Sequence, residues 1–504
     1  MRTKYSFYNF LVSIIANILI PILGFVKVRL FIASYGQELN GLYIFLMQVV
    51  TYINICESSF SLAFRQLLYK PLAEDKKEDV IKIYSGVQKV YNIVGFIVIV
   101  VGIIASLLVP GFIESTVNPN EISLLFLILC LPFGISYFLL PPSLVIIADQ
   151  KEYKISVFIQ TISTLRMVLM IVAIKLNLPY IFIYIIEGLQ VLISNIFGNI
   201  IARKNYPWLK YNRSEKSNNE FINNSKYTIV QNLSKTVMNN IDVVIISNIM
   251  TLIEVSIYGS YSYLRDAITK IINVVIVSPM NSFGNLINSE NDNSYAIFQE
   301  FYTLSTYMAT IISVCMFVAL KEFVFLWLHE ESHVLPTIAC FAFTASIYYL
   351  TQREAIIVLR DVKGLFVEAK TNAIILVVVK VVLSIIMVYY FSLTGILWAT
   401  LIAYILIDLP YNPKLLYKNA FNINSMVFYK TFISRTVIAL MIGLVCSYVY
   451  NLNLAFINAS TLNFLITLLI LGTSVLLMTT LIYFVCIKSF RDLIKRFVRL
   501  VKSH

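Results

Sequence analysis

Charged side chains are scarce in this sequence: Asp, Glu, Lys and Arg make up 13% of 504 residues, against ~25% in an ordinary soluble domain. That leaves no polar stock for a separate soluble domain, which excludes a soluble enzyme hung on a membrane anchor. No stretch between the apolar runs is long enough to fold alone. A sugar polymerase with a sizeable external loop is therefore disfavoured. Apolar and polar residues do not alternate along strand-length segments, which excludes an outer-membrane barrel. No glycine-rich phosphate loop is present, so direct ATP hydrolysis is not expected. The six cysteines (Cys56, Cys130, Cys315, Cys340, Cys446, Cys486) lie in apolar runs without close pairs, which argues against a disulfide framework or a thiolate metal site. The N-terminus has Arg2 and Lys4 before an apolar run but no small-x-small cleavage site, so that run is read as a retained first span.

Apolar side chains are abundant, at 59% of the chain. A hydrocarbon span takes ~20 such residues, so the stock suits about 14 spans. Apolar runs recur from 8–33 to 180–202 and, after a polar stretch, from 224–250 to 461–487. The fold expected is all-α and integral to the membrane, with about 14 transmembrane helices. Residues 1–202 are expected to form a six-helix N-terminal lobe and 203–223 a cytoplasmic linker. A second six-helix lobe follows at 224–420, then two extra spans at 421–487 and a basic amphipathic cytoplasmic tail at 488–504.

The net charge of +12 bears on sidedness and not on nucleic acid, for which no role is expected. Lys70, Lys76, Lys77 and Lys82, then Arg203, Lys204, Lys210, Arg213 and Lys216, lie in segments on the side of the N-terminus. The opposite connections hold Lys175 and Lys321. Both termini are thus expected in the cytoplasm. Asp149-Gln150-Lys151 and Asp361-Val362-Lys363 lie at nearly the same displacement as Glu38–Tyr43 and Glu254–Tyr258, which points to two parallel repeats. In the tail, Phe490, Leu493, Ile494, Phe497, Val498 and Val501 recur at helical spacing among Arg491, Lys495, Arg496, Arg499 and Lys502. That pattern suits an interfacial helix on an anionic inner leaflet.

Tyr69-Lys70-Pro71-Leu72-Ala73-Glu74, after the second span, resembles the first cytoplasmic loop of bacterial polysaccharide-export flippases of the multidrug/oligosaccharidyl-lipid/polysaccharide exporter superfamily. Tyr35-Gly36-Gln37-Glu38-Leu39-Asn40-Gly41-Leu42-Tyr43 resembles that family's first external hairpin. Asn240 to Ser247 with Val255 to Tyr258, and Phe325-Leu326-Trp327-Leu328, resemble its seventh to ninth helices. The resemblance implies two six-helix lobes around a central cavity, alternating access, and a place in the bacterial cytoplasmic membrane. It also implies undecaprenyl-diphosphate-linked oligosaccharide as cargo, for capsule, exopolysaccharide or surface-antigen synthesis. Membrane lipids and other polysaccharide-assembly proteins would be its partners. Its siblings on the same fold are ion-coupled multidrug exporters and lipid II flippases.

Charges inside spans point the same way, because a charge at a helix centre costs ~2.5–3.5 kcal/mol and must face protein or a wet cavity. Lys27, Arg29, Arg166, Lys235, Arg265, Lys270, Arg353 and Lys380 are candidates to hold an anionic diphosphate. Glu57, Glu187, Asp242 and Asp408 are candidates to couple transport to a proton or sodium gradient. Each has a structural alternative: Arg265-Asp266 and Arg353-Glu354 as ion pairs, Lys27 and Arg29 snorkelling, Asp242 paired with a lysine. Gly24, Gly188 and Gly198 are expected at close helix crossings, and Pro21, Pro132, Pro141 and Pro142 at kinks or breaks. His329-Glu330-Glu331-Ser332-His333 matches a zinc-protease motif. It sits in a short connection before Pro336, however, and Glu354 is ~30 Å further along a helix. Both histidines are expected on a wetted loop, with no catalytic residue, metal or cofactor.

Overall fold

The computed structural model describes residues 2–213, 215, 219–277, 294–365, 368–454 and 461–502. Lys216, His504 and part of the 203–223 stretch lie outside the described residues. The described chain is all-helical. Two compact units are present, Met1–Ser260 and Tyr261–His504.

The first unit opens with α1 (Arg2–Tyr35), α2 (Gln37–Ile53), α3 (Ile55–Ala73) and α4 (Lys77–Leu108). Then come α5 (Pro119–Leu139), α6 (Pro141–Ala148), α7 (Tyr153–Lys175), α8 (Ile181–Asn205), α9 (Asn219–Ile249) and the start of α10 (Leu252–Ile272). The second unit continues with α11 (Ser294–Leu328), α12 (Thr337–Val362), α13 (Lys370–Ala403) and α14 (Leu409–Leu416). It closes with α15 (Met426–Leu454), α16 (Thr461–Cys486) and α17 (Lys488–Lys502).

Among the described residues, 10 stretches are long and apolar enough to cross a membrane by themselves. Three of those expected are missing from that set for a chemical reason: α9, α10 and α12 carry polar and charged residues along their length. A fourth is merged, because Lys370–Phe421 runs as one 52-residue stretch. It is two passes, since Ser392 leaves helical geometry with φ 51 and ψ −140. The chain reverses tightly there, so that a Cβ on Gly395 would lie 2.1 Å from the Met387 carbonyl oxygen. Counted this way, the described residues accommodate about fourteen spans.

Two other spans are broken. Pro141 and Pro142 open α6 after Leu140, as expected of prolines at a first helical turn, whereas Pro132 is accommodated within α5. The break at Asn54 has no proline or glycine to announce it; its side-chain amide donates to the Val50 carbonyl at 2.9 Å. The helix ends are more regular. α6 and α12 finish on the same turn, with Lys151 N–H donating to Ile146 O and Leu365 N–H to Arg360 O, around left-handed Gln150 and Gly364. The equivalent positions are therefore 150 and 364. Asp149 and Asp361 are not equivalent within that turn, which corrects the pairing that their displacement suggested.

In lipid the hydrophobic effect does not hold helices together, so close packing must. α4 turns Ile93, Phe96, Val100, Ile104 and Leu107 outward and buries Tyr84, Val87, Tyr91 and Val98. Its Gly95 and Gly102 lie against Tyr137 and Cys130 of α5. Gly188 and Gly198 fit close crossings as expected: a Cβ there would lie 2.6 Å from Ile128 O and from Ser143 Oγ respectively. In the second unit the core gathers Ile297, Phe298, Tyr302, Ile356, Tyr417 and Phe428.

Candidate functional site

In the first unit, four helices bring three of the anticipated charges together. Lys27 lies on α1, four residues before Phe31, and the two share a helix face. Its Nζ sits 4.8 Å from the Phe31 ring centroid and 3.9 Å from that of Tyr43 on α2. The Tyr43 hydroxyl donates to Glu187 Oε2 of α8 at 2.6 Å. The other oxygen, Glu187 Oε1, accepts from Arg166 Nη1 of α7. Tyr184, one turn before Glu187, places its ring edge-on to Tyr43 with centroids 5.4 Å apart. Lys27 and Glu187 are buried, at 5% and 3% exposure.

With Lys27 protonated, two cations and one carboxylate leave this cluster one positive charge in excess. Glu187 is fully engaged, yet the donors are not. Among the described residues Lys27 Nζ meets aromatic faces and no acceptor, and Arg166 Nε and Tyr184 Oη are buried without a hydrogen-bond partner. Buried donors are ordinarily satisfied, and a buried excess charge is costly. The arrangement has the chemistry of an anion receptor.

The remaining anticipated residues of this unit have other surroundings. Asp242, fully buried on α9, accepts from the Tyr258 hydroxyl of α10 at 2.5 Å. Glu57 accepts from Ser61 at 2.6 Å, and Arg65 Nε donates to the Ser61 carbonyl at 3.2 Å. Arg29 and Lys235 are exposed.

In the second unit Arg353 forms its ion pair with Asp408, 55 positions on, through Nε at 2.8 Å and Nη2 at 3.1 Å. Adjacent Glu354 was the expected partner. Asp408 also accepts from Tyr349 at 2.6 Å and Asn412 at 2.8 Å, so its oxygens are well supplied. It closes a π-helical turn, Tyr404–Asp408. Arg265 lies 3.4 Å from Asp266, Lys270 is exposed and Lys380 is buried.

Sequence reasoning missed the aromatic members of the first cluster, Phe31, Tyr43 and Tyr184. It also missed Arg435 of α15, buried and, among the described residues, with no carboxylate on it: its guanidinium donates to Thr306 Oγ1 at 3.0 Å and Thr303 Oγ1 at 2.8 Å and lies 5.1 Å from the Tyr302 ring. An arginine inside the 430–451 run was the available signal. The histidine motif needs a correction. α11 ends at Leu328, His329 is left-handed with φ 58, and Glu331–His333 is a single 3-10 turn. The two histidines are not one α-helical turn apart. His329 is exposed as expected, but His333 is fully buried, because Tyr261 pins its segment by donating to the His333 carbonyl at 3.0 Å and accepting from Leu335 N–H at 3.1 Å.

No family model matches the sequence, and no curated protein matches it. Solved structures do. The lipid II flippase MurJ in an inward closed conformation superposes with a TM-score of 0.72 at 18% identity, covering 96% of this chain and 100% of that one. An inward-facing multidrug resistance MATE family transporter of the MOP superfamily gives 0.58 at 13% identity, covering 80% and 98%. A Vibrio cholerae MATE transporter gives 0.57 at 12%, covering 83% and 98%. The chain has the fold of MOP-superfamily transporters and flippases, and it is a multi-pass membrane protein.

Proposed function

We propose that this protein is a flippase that carries an undecaprenyl-diphosphate-linked oligosaccharide across the bacterial cytoplasmic membrane by alternating access, for capsule, exopolysaccharide or surface-antigen synthesis. The observation that carries this reading is the buried cluster of Lys27, Arg166 and Glu187 with unmet donors, on a fold shared with a lipid II flippase. A diphosphate supplies the acceptors the cluster needs, and arginine holds phosphate oxygens bidentately. A cationic drug finds unmet donors and no free carboxylate oxygen there, which ranks multidrug export lower. Lipid II is the second reading, favoured by the extent of the match to MurJ. The acids Glu57, Asp242 and Asp408 remain the proposed seats of ion coupling, and exposed Arg29, Lys235 and Lys270 with Arg265, Arg353 and Lys380 remain proposed cationic contacts for an anionic cargo.

The deciding experiment is transport in proteoliposomes loaded with a polyprenyl-diphosphate oligosaccharide, lipid II or a cationic dye, with and without an imposed proton or sodium gradient. Transfer of the oligosaccharide lipid is expected. Dye efflux with neither lipid moved overturns the reading. Arg166→Gln and Lys380→Gln should each cut transport while leaving membrane insertion intact, since a charge-assisted bond lost is worth ~1.5–3 kcal/mol, or roughly 10- to 150-fold in affinity.

A further inference from the structure

We infer that Lys27 takes up a proton as an anionic group enters the α1–α2–α7–α8 cluster, so that occupancy of this site and protonation of Lys27 are linked. The inference rests on the reading that the cluster receives a diphosphate, and it adds which group carries the proton. The ionised groups that face Lys27 are Glu187 of α8 and Arg166 of α7; the titratable ones are Tyr43 of α2 and Tyr184 of α8. Arg166 stays charged at any working pH, and Glu187 gives one oxygen to it and the other to the Tyr43 hydroxyl. The carboxylate is thereby matched, and the surplus charge of the site is the Lys27 ammonium.

That ammonium is buried, and what it touches are ring faces. These attract a cation but accept none of its three N–H groups as an oxygen does. Two states of the site are electrostatically cheap. When it is empty, Lys27 is a neutral amine and the cluster carries no net charge. When it is loaded, the amine nitrogen forms an N–H bond with a proton drawn from water, and the resulting ammonium faces the phosphate oxygens. Release of the anion reverses the step. Tyr184 Oη and Arg166 Nε, both buried and unpartnered among the described residues, are the further donors the arriving group meets.

The test measures binding of a water-soluble, short-prenyl diphosphate diester of a sugar to the purified full chain between about pH 7 and 10, a range in which the protein's lysine amines titrate and the diester's phosphates do not. Wild-type affinity should weaken above the Lys27 transition by up to about tenfold per pH unit. Lys27→Arg, whose guanidinium stays protonated, should bind with a flat profile, and Lys27→Met should bind weakly throughout. In the unmodified protein, adding the diester in weak buffer should draw protons from an indicator dye. Tight binding without proton uptake, or a wild-type pH profile retained in Lys27→Arg, overturns the linkage and leaves the flippase reading standing. If the diester fails to bind the wild type at any pH, both are overturned.

Discussion

His333 sits in the connector between α11 and α12 with both ring nitrogens buried and, among the described residues, without hydrogen-bond partners. An imidazolium there has nothing to solvate it, so burial pushes its pKa from the ordinary 6.5 down to about 4. The unfolded chain therefore binds this proton between those values and the folded one does not. Stability is complete above the unfolded value and is lost as pH falls toward the folded one, by roughly 3 kcal/mol over the window. The expected result is a melting temperature that falls from pH 6.5 to 4. The fall should be distinctly shallower in His333→Phe, measured on purified protein in one detergent. Equal slopes in the two proteins would mean that other groups set the acid sensitivity.

Helix crossings make the next level of organisation, and glycine spacing decides some of them. At Gly41 of α2 a Cβ would lie 1.8 Å from the Leu252 carbonyl oxygen at the start of α10, beside the hydrogen bond from Asn40 to Ser256 Oγ at 2.8 Å. Gly41→Ala should cost about 1–3 kcal/mol, because backbone cannot yield as a side-chain tip does. Gly472→Ala, where a Cβ meets open space on α16, should be neutral or gain up to about 1 kcal/mol. Thermal melts of the pair separate a crossing defect from a general effect of alanine.

The tail helix α17 forms where its periodicity placed it, but it is not purely interfacial. Phe490, expected toward lipid, is buried between Tyr307 and Tyr483, and Arg496 grips Glu300 of α11 through Nε at 2.7 Å and Nη2 at 3.1 Å. Ile494 and Val498 remain exposed beside Lys495 and Arg499, a face suited to an anionic leaflet. Glu300→Gln should loosen this docking by about 1–2 kcal/mol, discounted for the partial exposure of Arg496. A cysteine at Ser489, which shares a hydrogen bond with Thr303, should then be alkylated several-fold faster. An unchanged rate would show that the Arg496–Glu300 contact does not hold the tail in place.

For the molecule as a whole, the distribution of basic residues makes the topology testable. Reporters fused after Lys216 and at His504 should both read cytoplasmic, and one inserted near Asn118 should read external. An external signal at His504 means an odd number of spans, which the fourteen-helix assignment does not survive. The same assignment shows where composition was a sufficient guide. The reversal at Ser392 comes where one apolar run, 371–392, ends and the next, 394–412, begins, and Pro141 and Pro142 announced the start of α6. Asn54 broke a run whose apolar content gave no warning, because that break depends on a side-chain amide finding the Val50 carbonyl.

Length, hydropathy and charge asymmetry by themselves determined that this chain is a helical membrane protein with many passes. The reason is that lipid offers backbone groups no partner, so each apolar run must become a helix whatever its neighbours are. The same physics made every intramembrane charge conspicuous as a residue needing company. Which company it keeps was decided only by tertiary structure. Arg353 found Asp408 across 55 positions and not the acid beside it, Arg166 found Glu187, and Arg435 found threonine hydroxyls. A helix turns adjacent residues about 100° apart, so neighbours in sequence seldom face the same partner. Electrostatic matching is therefore a property of which helices pack, and that information is spread over the whole chain.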